Sequence, residues 1–335
     1  MIDPPQSATK RLIHFTPLRY PGGKGKLADY IERLMQVNQL LDGEYVEPYA
    51  GGCGIAVQLL LHEYVSRIHI NDISRPVYAF WKAILSHTDE LCRLVIDTPL
   101  SVRTWDRQKR ILKNAKDNDD LRLGFAMFFL NRTNRSGILN GGIIGGRDQT
   151  GQWKIDARYN AVELVHRIQS IAKLKNRISL SRRDALCFLK SGVIRWPNKT
   201  LIYLDPPYYT KGRDLYYDFY EPEDHAKVAK FVCENIKLQR WIVSYDNEPA
   251  IRQLYPKSPN IIYNIGYSAR SSRVGSEVMF FSKGLKIPSL VGPIQVTEDN
   301  AGILRVMPAK RPLKIALRKK ADATSFHPLR RYHRS

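Results

Sequence analysis

The chain contains a short apolar run, Leu201–Leu204, that ends abruptly at Asp205-Pro206-Pro207-Tyr208. A run of this length that stops at prolines is typical of a buried strand in a parallel sheet, because such strands are covered on both faces. The run therefore predicts a central strand of an α/β sheet, with the acid at its carboxyl edge. Open α/β sheets bind their ligands at that edge.

The turn after this strand offers hydrogen-bond acceptors and few donors. Neither proline nitrogen carries a hydrogen, whereas the Asp205 carboxylate and the Pro206 carbonyl both accept. Acceptors beside the Tyr208 ring suit a planar substrate that bears an amino group, such as adenine. The alternative is that Asp-Pro-Pro is only a structural turn, since these residues are common in turns.

The chain also carries a large excess of positive charge. Its 335 residues include 53 Lys and Arg against 32 Asp and Glu, which gives a formal net charge of +21. This surplus favours a polyanionic partner. The four cysteines are scattered without metal-site spacing, which argues against a disulfide framework. No apolar stretch is long enough for a bilayer and no signal segment is present, so we expect a cytoplasmic, nucleoid-associated protein.

A second strand-edge site is predicted near the amino terminus. Segments 45–49 and 67–70 are expected strands that flank a helix at 55–61 in a βαβ unit. The loop Gly51–Gly54 lets a ligand approach the backbone at the amino terminus of that helix. Asp72 ends the second strand, where an acid reaches ribose hydroxyls. Val57 breaks the dinucleotide fingerprint, which disfavours a nicotinamide enzyme; a purely structural glycine-rich turn is the alternative.

The remaining segments predict the layout of the chain. Residues 76–181 are expected to be mostly helical, apart from loops and a hairpin in the Gly-, Asn- and Arg-rich segment 131–160. Further strands are predicted at 177–180, 201–204, 240–245, 261–265 and 278–282. From Lys310 onward basic residues greatly outnumber the single acid Asp322, which predicts a tail without a core of its own.

Several blocks, in this order, resemble the DNA adenine methylases of the α class, the Dam-like family. The blocks are Arg19–Lys24, Glu47–Gly54, Asn71-Asp72, Phe129–Arg132 with Ser136–Ile138, Asp184, and Asp205–Tyr208. The resemblance implies an α/β fold with a Rossmann-like class I methyltransferase sheet and an inserted, mostly helical target-recognition domain. It also implies methyl transfer from S-adenosyl-L-methionine to the exocyclic amino group of an adenine flipped out of duplex DNA, without a metal.

The resemblance assigns roles to individual residues. Asp205, Pro206 and Tyr208 are implied as the catalytic group: the first two accept the amino hydrogens and the third stacks on the base. The residues implied to bind the cofactor are Tyr20, Lys24, Glu47, Tyr49, Gly51, Gly54, Asp72 and Asp184. The residues expected to contact DNA are Asn131, Arg132, Arg135, Arg147, Lys211 and Arg213, although any single arginine among them is equally well explained as a solvated charge.

The same resemblance predicts the domain organisation and the partners. We expect a discontinuous catalytic domain at residues 16–75 and 181–285, an inserted target-recognition domain at 76–180, and a basic tail at 286–335. The expected partner is double-stranded DNA. The sequence leaves open whether the enzyme is solitary, phage-borne or paired with a cognate restriction endonuclease that acts separately. We expect a monomer or weak dimer without membrane contact.

Two departures from the family pattern leave alternatives open. Ala185 follows Asp184 where many relatives carry a large aromatic residue, so Phe188 is the candidate for the wall of the cofactor adenine site. Residues 136–140 read Ser-Gly-Ile-Leu-Asn, unlike the Asn-Gly-Leu-Tyr-Arg stretch of GATC-type members, so the target sequence is open. An RNA adenine methyltransferase and an inactive DNA-binding regulator are the other functions that the residues allow.

Overall fold

The apolar runs of the sequence become strands of one mixed sheet. The computed structural model describes residues 15–19, 24–115, 119–209, 220–266, 274–289, 295–300 and 302. Within these ranges the strands are β1 Gly43–Glu47, β2 Val65–Asn71, β3 Ile178–Ser181, β4 Thr200–Leu204, β5 Arg240–Asp246, β6 Asn260–Gly266, β7 Val274–Phe281 and β8 Gln295–Asp299. Every predicted strand is present, and the sheet adds β8.

The strand order is β3-β2-β1-β4-β5-β7-β6-β8. Strands β3 to β5 in this order are parallel, whereas β7 runs antiparallel to both β5 and β6, and β8 runs antiparallel to β6. The order 3-2-1-4-5 is the doubly wound arrangement, with a topological switch point between β1 and β4. Both predicted strand-edge sites therefore lie at the carboxyl edge of the same sheet.

Helices connect and cover the strands. Their bounds are α1 Ala28–Val37, α2 Gly54–Leu61, α3 Arg75–Ser86, α4 Thr88–Asp97, α5 Val102–Lys113, α6 Asp120–Thr133, α7 Ala161–Ala172, α8 Ala185–Gly192, α9 Pro222–Asn235 and α10 Pro249–Leu254, with 3₁₀ turns at Lys24–Leu27, Arg135–Gly137 and Lys175–Arg177. No helix in the described part of the chain has the length and hydropathy needed to cross a membrane.

The alternation of side chains along the strands builds a core on each face of the sheet. In β4, Leu201 and Tyr203 join the larger core together with the first seven helices, whereas Ile202 and Leu204 join the smaller one. Successive residues of a strand point to opposite faces. A central strand that is apolar at every position is thereby buried on both sides, as the sequence predicted.

The segment between β2 and β3 is mostly helical, as predicted. Its central helix α6 is buried around most of its circumference and packs closely on α3. Gly124 permits this close approach, because a Cβ there would lie 2.5 Å from the Ala79 carbonyl oxygen. The expected hairpin in segment 131–160 is a single antiparallel bridge between Asn134 and Ile143. These helices share the larger hydrophobic core with the sheet.

Strand β8 was not predicted, since the sequence interpretation assigned everything from residue 286 onward to a basic tail. Its sequence, Gln-Val-Thr-Glu-Asp, is mostly polar and largely exposed, and it pairs only with β6. An edge strand has little apolar surface to bury and so leaves no periodic signal. The basic residues from Lys310 onward lie outside the described residues.

Candidate active site

A glycine-rich loop and a 3₁₀ turn meet at the carboxyl edge of the sheet. The turn Lys24–Leu27 approaches the start of α2 closely, because a Cβ on Gly54 would lie 3.3 Å from Gly25 Cα. Cys53 has a φ of +47°, a left-handed conformation that is uncommon outside glycine. The loop before α2 is thus shaped tightly enough to bring Lys24 to the sheet edge.

Asp205 follows β4 at this edge and keeps one carboxylate oxygen available. Its Oδ1 accepts a hydrogen bond from Ser244 Oγ at 2.8 Å and lies 3.5 Å from Lys24 Nζ. The Tyr203 hydroxyl, 2.8 Å from Ser244 Oγ, donates in turn, because the Ser244 hydrogen is committed to Asp205. In the described ranges no contact involves Oδ2, and the side chain is 25% exposed. One oxygen thus orients the carboxylate, and no hydrogen bond of the described residues engages the other.

Lys24 is a buried lysine surrounded by acceptors. Its Nζ lies 2.8 Å from Glu277 Oε1 and 3.1 Å from the Tyr208 hydroxyl, in addition to its contact with Asp205. Burial alone would lower the pKa of Lys24, but Asp205 and Glu277 outweigh it and raise that pKa well above its ordinary value. Lys24 is therefore a permanent positive charge beside Asp205.

The pKa of Asp205 is shifted in the opposite sense from that of a simple ion pair. Burial raises it to about 6, Lys24 opposes the rise, and Glu277 adds to it. A carboxyl group whose pKa is raised by burial beside a specific charged partner is a candidate functional group.

Four residues complete this arrangement that the sequence did not identify: Tyr203, Ser244, Tyr263 and Glu277. They come from four different strands, and Glu277 contacts both Lys24 and Tyr208. The only sequence signal was an acid directly before the apolar run Val278–Phe281. Such an acid is unusual in a buried strand and points to a partner elsewhere in the chain.

Asp72 ties the glycine-rich loop to the end of β2. Its Oδ2 accepts from the Gly51 amide at 2.8 Å, and its Oδ1 accepts from the Ser74 amide at 2.9 Å. The Gly51 carbonyl is held by Trp81 Nε1 at 3.0 Å. Asp72 therefore holds the glycine-rich loop at the carboxyl end of β2.

Glu47, at the end of β1, faces inward. Its Oε1 accepts from the Tyr45 hydroxyl at 3.1 Å and from the Ala56 amide at 3.2 Å. Burial raises the pKa of Glu47 to about 8 in spite of these hydrogen bonds. The side chain therefore braces the start of α2 from within the protein.

Tyr49 and Tyr220 form an aromatic pair near the predicted cofactor-binding acids. Their hydroxyls lie 3.0 Å apart and their rings meet edge to face. Burial raises the pKa of Tyr220 to about 12, and both Asp184 and Asp72 add to the rise, so the tyrosine lies within electrostatic range of both acids. Asp184 itself is exposed and caps α8.

Phe188, the expected wall of the adenine site, is buried in the smaller core. Its ring packs edge to face on Trp196, with ring centroids 5.3 Å apart. The half-buried ring of Tyr220, which contacts Tyr49, offers aromatic surface within electrostatic range of Asp184.

Asn131 joins the amino-terminal block to the loops after α6. Its Oδ1 accepts from the Arg19 amide at 2.7 Å, and its Nδ2 donates to the carbonyls of Arg19 at 2.7 Å and Gly137 at 3.0 Å. Gly137 has a φ of +75°, and a Cβ there would lie 2.3 Å from the Arg19 carbonyl oxygen. Asn131 is 1% exposed, so it positions the two segments that flank it.

The predicted DNA-binding arginines have different environments. Arg132 is half-buried, its Nε has no hydrogen-bond partner within the described residues, and burial together with Arg19 and Arg167 lowers its pKa to about 9. Arg135 is exposed. Arg147 makes two parallel hydrogen bonds to Asp106, at 2.9 and 2.8 Å. Arg135 thus presents an exposed charge, whereas the side chain of Arg132 is partly enclosed by the protein. Tyr20, Lys211 and Arg213 lie outside the described residues.

Comparisons with known proteins identify the family of this chain. A family model for the D12 class of N6 adenine-specific DNA methyltransferases matches residues 20–268. The type II methyltransferase M.MjaIII of Methanocaldococcus jannaschii is 23% identical over 242 residues, which cover 64% of this chain and 78% of the relative. A conserved hypothetical protein of Streptococcus pyogenes has a solved structure that covers 72% of this chain and 88% of its own at 10% identity, but its TM-score of 0.32 is too low for any argument.

The family match covers more than half of the chain. It includes both strand-edge sites and the helices between β2 and β3. The chain therefore belongs to the D12 class of N6 adenine-specific DNA methyltransferases.

Proposed function

We propose that this protein methylates a specific site in duplex DNA, transferring methyl from S-adenosyl-L-methionine to the exocyclic amino group of a flipped-out adenine. The observation that carries the proposal is the setting of Asp205. Lys24 and Ser244 hold its Oδ1, and no hydrogen bond of the described residues engages its Oδ2; the Pro206 carbonyl is the second acceptor that the sequence predicts. Family membership supports adenine in DNA as the substrate.

Asp205 and the Pro206 carbonyl would make the adenine amino nitrogen a better nucleophile. The lone pair of the adenine amino nitrogen is delocalised into the ring, which makes the nitrogen a poor nucleophile. When Asp205 and the Pro206 carbonyl each accept one amino hydrogen, a tetrahedral nitrogen is favoured and its lone pair is freed for the methyl carbon. Once the new N–C bond forms, the nitrogen must lose a proton, and Asp205, with a pKa of about 6, can take it and pass it to water.

The residues present fit the proposed methyl donor, which would supply a methyl group activated on a sulfonium sulfur. The glycine-rich loop lets a ligand approach the amino terminus of α2, and Asp72 can accept from ribose hydroxyls. Tyr49 and Tyr220 offer aromatic surface near Asp184 for a purine. Binding both reactants in alignment lowers the activation free energy, by up to roughly 7–11 kcal/mol in the best intramolecular cases.

The position of Asp205 supports base flipping. Its side chain is 25% exposed and anchored behind the sheet edge, where an amino group inside a stacked duplex cannot reach it. Flipping costs about a few kcal/mol. Stacking of the flipped base on Tyr208 would offset this cost by about 1–3 kcal/mol. The Tyr208 hydroxyl donates a hydrogen bond to Glu277, which holds the ring in place.

We assign DNA contact to the inserted segment, and the excess positive charge of the chain favours binding to the DNA phosphates. Arg132 and Arg135 present cations beside the amino-terminal block that Asn131 ties down. We assign residues 76–180 to target recognition, and 16–75 with 181–285 to catalysis. Where a cognate restriction endonuclease is paired with this enzyme, we propose that it acts separately. The enzyme would act as a monomer or weak dimer.

The test is a methyl-transfer assay with radiolabelled S-adenosyl-L-methionine on duplex DNA, single-stranded DNA and RNA, paired with modification-sensitive sequencing of DNA from expressing cells. We expect N6-methyladenine at one short sequence in duplex DNA. Asp205→Ala should abolish transfer yet change cofactor affinity by less than a few-fold, because its carboxylate faces the substrate amino group. A cofactor affinity that falls as steeply as activity would move Asp205 into the cofactor site.

The other functions give different outcomes in the same assay. Methylation of RNA in preference to duplex DNA would identify an RNA enzyme. Sequence-specific DNA binding with no transfer to any substrate would identify a regulator.

A further inference from the structure

Glu277 is a buried acid at the centre of the site, and the proposed mechanism has not yet used its charge. It is 1% exposed and lies in β7 directly before the apolar residues Val278–Phe281. Its Oε1 accepts from Lys24 Nζ at 2.8 Å and from the Tyr208 hydroxyl at 3.0 Å, and its Oε2 accepts from the Tyr263 hydroxyl at 2.7 Å. A buried carboxylate is costly unless it is paired and hydrogen-bonded, and both of its oxygens are engaged here.

The sheet register directs Glu277 toward Lys24. Glu277 lies opposite Tyr263 of β6 and opposite Asp246 of β5. Its neighbour Met279, two residues along β7, packs in the same core cluster as Tyr203 and Tyr263, and residues two apart in a strand share a face. Glu277 thus shares the sheet face from which Tyr203, Ser244 and Lys24 reach Asp205.

The contacts form one connected chain across the site. It runs from Tyr263 through Glu277 to Lys24, and from Lys24 to Asp205, Ser244 and Tyr203. Tyr208 joins it twice, at Lys24 and at Glu277. Two groups on which the proposed reaction depends, Asp205 and Tyr208, are therefore both fixed relative to Glu277.

We propose that Glu277 is a positioning residue for methyl transfer: it holds the Lys24 ammonium and the Tyr208 hydroxyl against Asp205 and keeps the site net negative. This inference rests on the proposed function. The two carboxylates outnumber the single ammonium, so one negative charge is left. If Glu277 were neutral, Lys24 would cancel the charge of Asp205.

That remaining charge matters because the reaction moves a positive charge. The proposed donor brings a sulfonium cation, and the positive charge passes to the adenine nitrogen as the methyl group is transferred. A fixed negative charge in a partly dehydrated site favours the bound cation. It favours the transition state more, because the positive charge moves from the sulfur toward the amino nitrogen held by Asp205. The product, S-adenosylhomocysteine, is a neutral thioether at the same position, so it should not feel this charge.

The test is Glu277→Gln, which removes the charge and keeps the shape. The Gln oxygen can still accept from Lys24 and Tyr208, and its amide can donate to the Tyr263 hydroxyl. We expect the affinity for S-adenosyl-L-methionine, measured by calorimetry, to fall about tenfold, which is the effect of one unit charge at roughly 12 Å and an effective dielectric constant of about 20. Affinity for S-adenosylhomocysteine should change less than about twofold, and the single-turnover methyl-transfer rate should fall at least about tenfold.

Two variants act as controls. Glu298→Gln makes the same chemical change at an exposed position of β8 and should leave every value unchanged. Glu277→Asp keeps the charge but draws the carboxylate back by one methylene. It should preserve the preference for the sulfonium over the thioether while lowering the single-turnover rate, and it carries the test if Glu277→Gln fails to fold.

The outcomes that overturn the proposal are distinct from those that overturn the proposed function. An equal fall in affinity for both cofactor forms in Glu277→Gln, or an unchanged single-turnover rate in Glu277→Asp, would leave Glu277 a merely structural residue. Retained activity in Asp205→Ala would instead contradict the proposed function. A dead Asp205→Ala together with a fully active Glu277→Gln would reject only the role of Glu277.

Discussion

Two carboxylates of this site have opposite tasks because their surroundings differ. Glu277 has both oxygens committed to protein donors, whereas Asp205 has one oxygen held and one facing the edge of the sheet. The committed acid fixes neighbouring groups, and the partly open acid is the one that a substrate can reach. The residue type is the same in chemical terms, so the environment assigns the role.

The raised pKa of Asp205 predicts a pH dependence. Methyl transfer needs the carboxylate as an acceptor, so kcat/KM should fall as pH drops through about 6, by about tenfold per pH unit at lower pH. The groups facing Asp205 are Lys24, Ser244, Glu277 and the nearby Glu47. The measurement is a pH profile of kcat/KM with circular dichroism at each pH, and a flat profile between about pH 5 and 7.5 in a folded enzyme would contradict the assignment.

The same shift in the pKa of Asp205 affects the stability of the fold in the opposite direction from its effect on activity. The pKa of Asp205 rises from its ordinary 3.8 to about 6 on folding, so the folded protein binds the proton more tightly than the unfolded chain does. The contribution of Asp205 to stability is therefore greatest at low pH and is lost as pH rises through about 6. The ionised Asp205 that methyl transfer needs is thus the form in which this residue stabilises the fold least.

Asp72→Ala should weaken cofactor binding without removing the catalytic acid. The decrease expected for hydrogen bonds to a charged group is about 1.5–3 kcal/mol. Part of it reflects the Gly51 amide that Asp72 now holds. Calorimetric titration with S-adenosyl-L-methionine checks the value. Asp72→Asn, which keeps one acceptor, should lose less, and unchanged affinity in a folded Asp72→Ala protein would remove Asp72 from the cofactor site.

Among the elements, the connection between α6 and α7 is a long loop held by its own side chains. Gln149 donates to the carbonyls of Ile144 at 2.8 Å and Gly146 at 2.6 Å, and it accepts from the Ile155 amide at 2.9 Å. Such a loop keeps its shape without helix or strand ladders. It can therefore change its outward side chains while its fold is retained.

This architecture predicts that target specificity can be exchanged with the loop. Replacing residues 131–160 with the segment of a relative of different specificity should change which adenines are methylated. The cofactor and catalytic blocks lie outside this segment, so methyl-transfer chemistry should persist. Modification-sensitive sequencing reads the target directly. Exchange of α4 alone should leave it unchanged, and an active 131–160 chimera with the original target would place sequence readout elsewhere.

For the molecule as a whole, the net charge of +21 is larger than the charge of the few residues expected to contact specific bases. Binding of duplex DNA through many phosphate contacts releases counterions and makes affinity strongly dependent on salt. Many of the basic residues lie from Lys310 onward, where the sequence predicts a tail.

Deletion from Lys310 onward should weaken DNA binding without regard to sequence and leave the target unchanged. Each phosphate that the tail binds adds about 0.9 to the steepness of log affinity against log salt for duplex DNA, so the truncated protein should show a shallower slope. A full-length variant with Gln at the basic positions of the tail separates charge from length and should give the same shallow slope. An unchanged slope would make the tail passive, and failure of the truncated chain to fold would make it part of the domain.

Local patterns in the sequence were enough to locate the strands and the acids that end them. Apolar runs, glycine-rich turns and prolines act within a few residues, and these identified the Gly51–Gly54 loop, Asp72 and Asp205 before any tertiary contact was known. The polar edge strand β8 escaped because it buries too little apolar surface to leave a pattern.

The charge state of those acids, and the groups that hold them, were defined by long-range packing. The ion pair between Lys24 and Glu277 joins residues 253 apart in the chain. It exists because β7 inserts antiparallel between β5 and β6. Strand order follows from packing over the whole chain, which no local pattern encodes. The ionisation of Asp205 and the fixed place of Lys24 and Tyr208 depend on burial and on these distant partners, and so they became defined only when the sheet assembled.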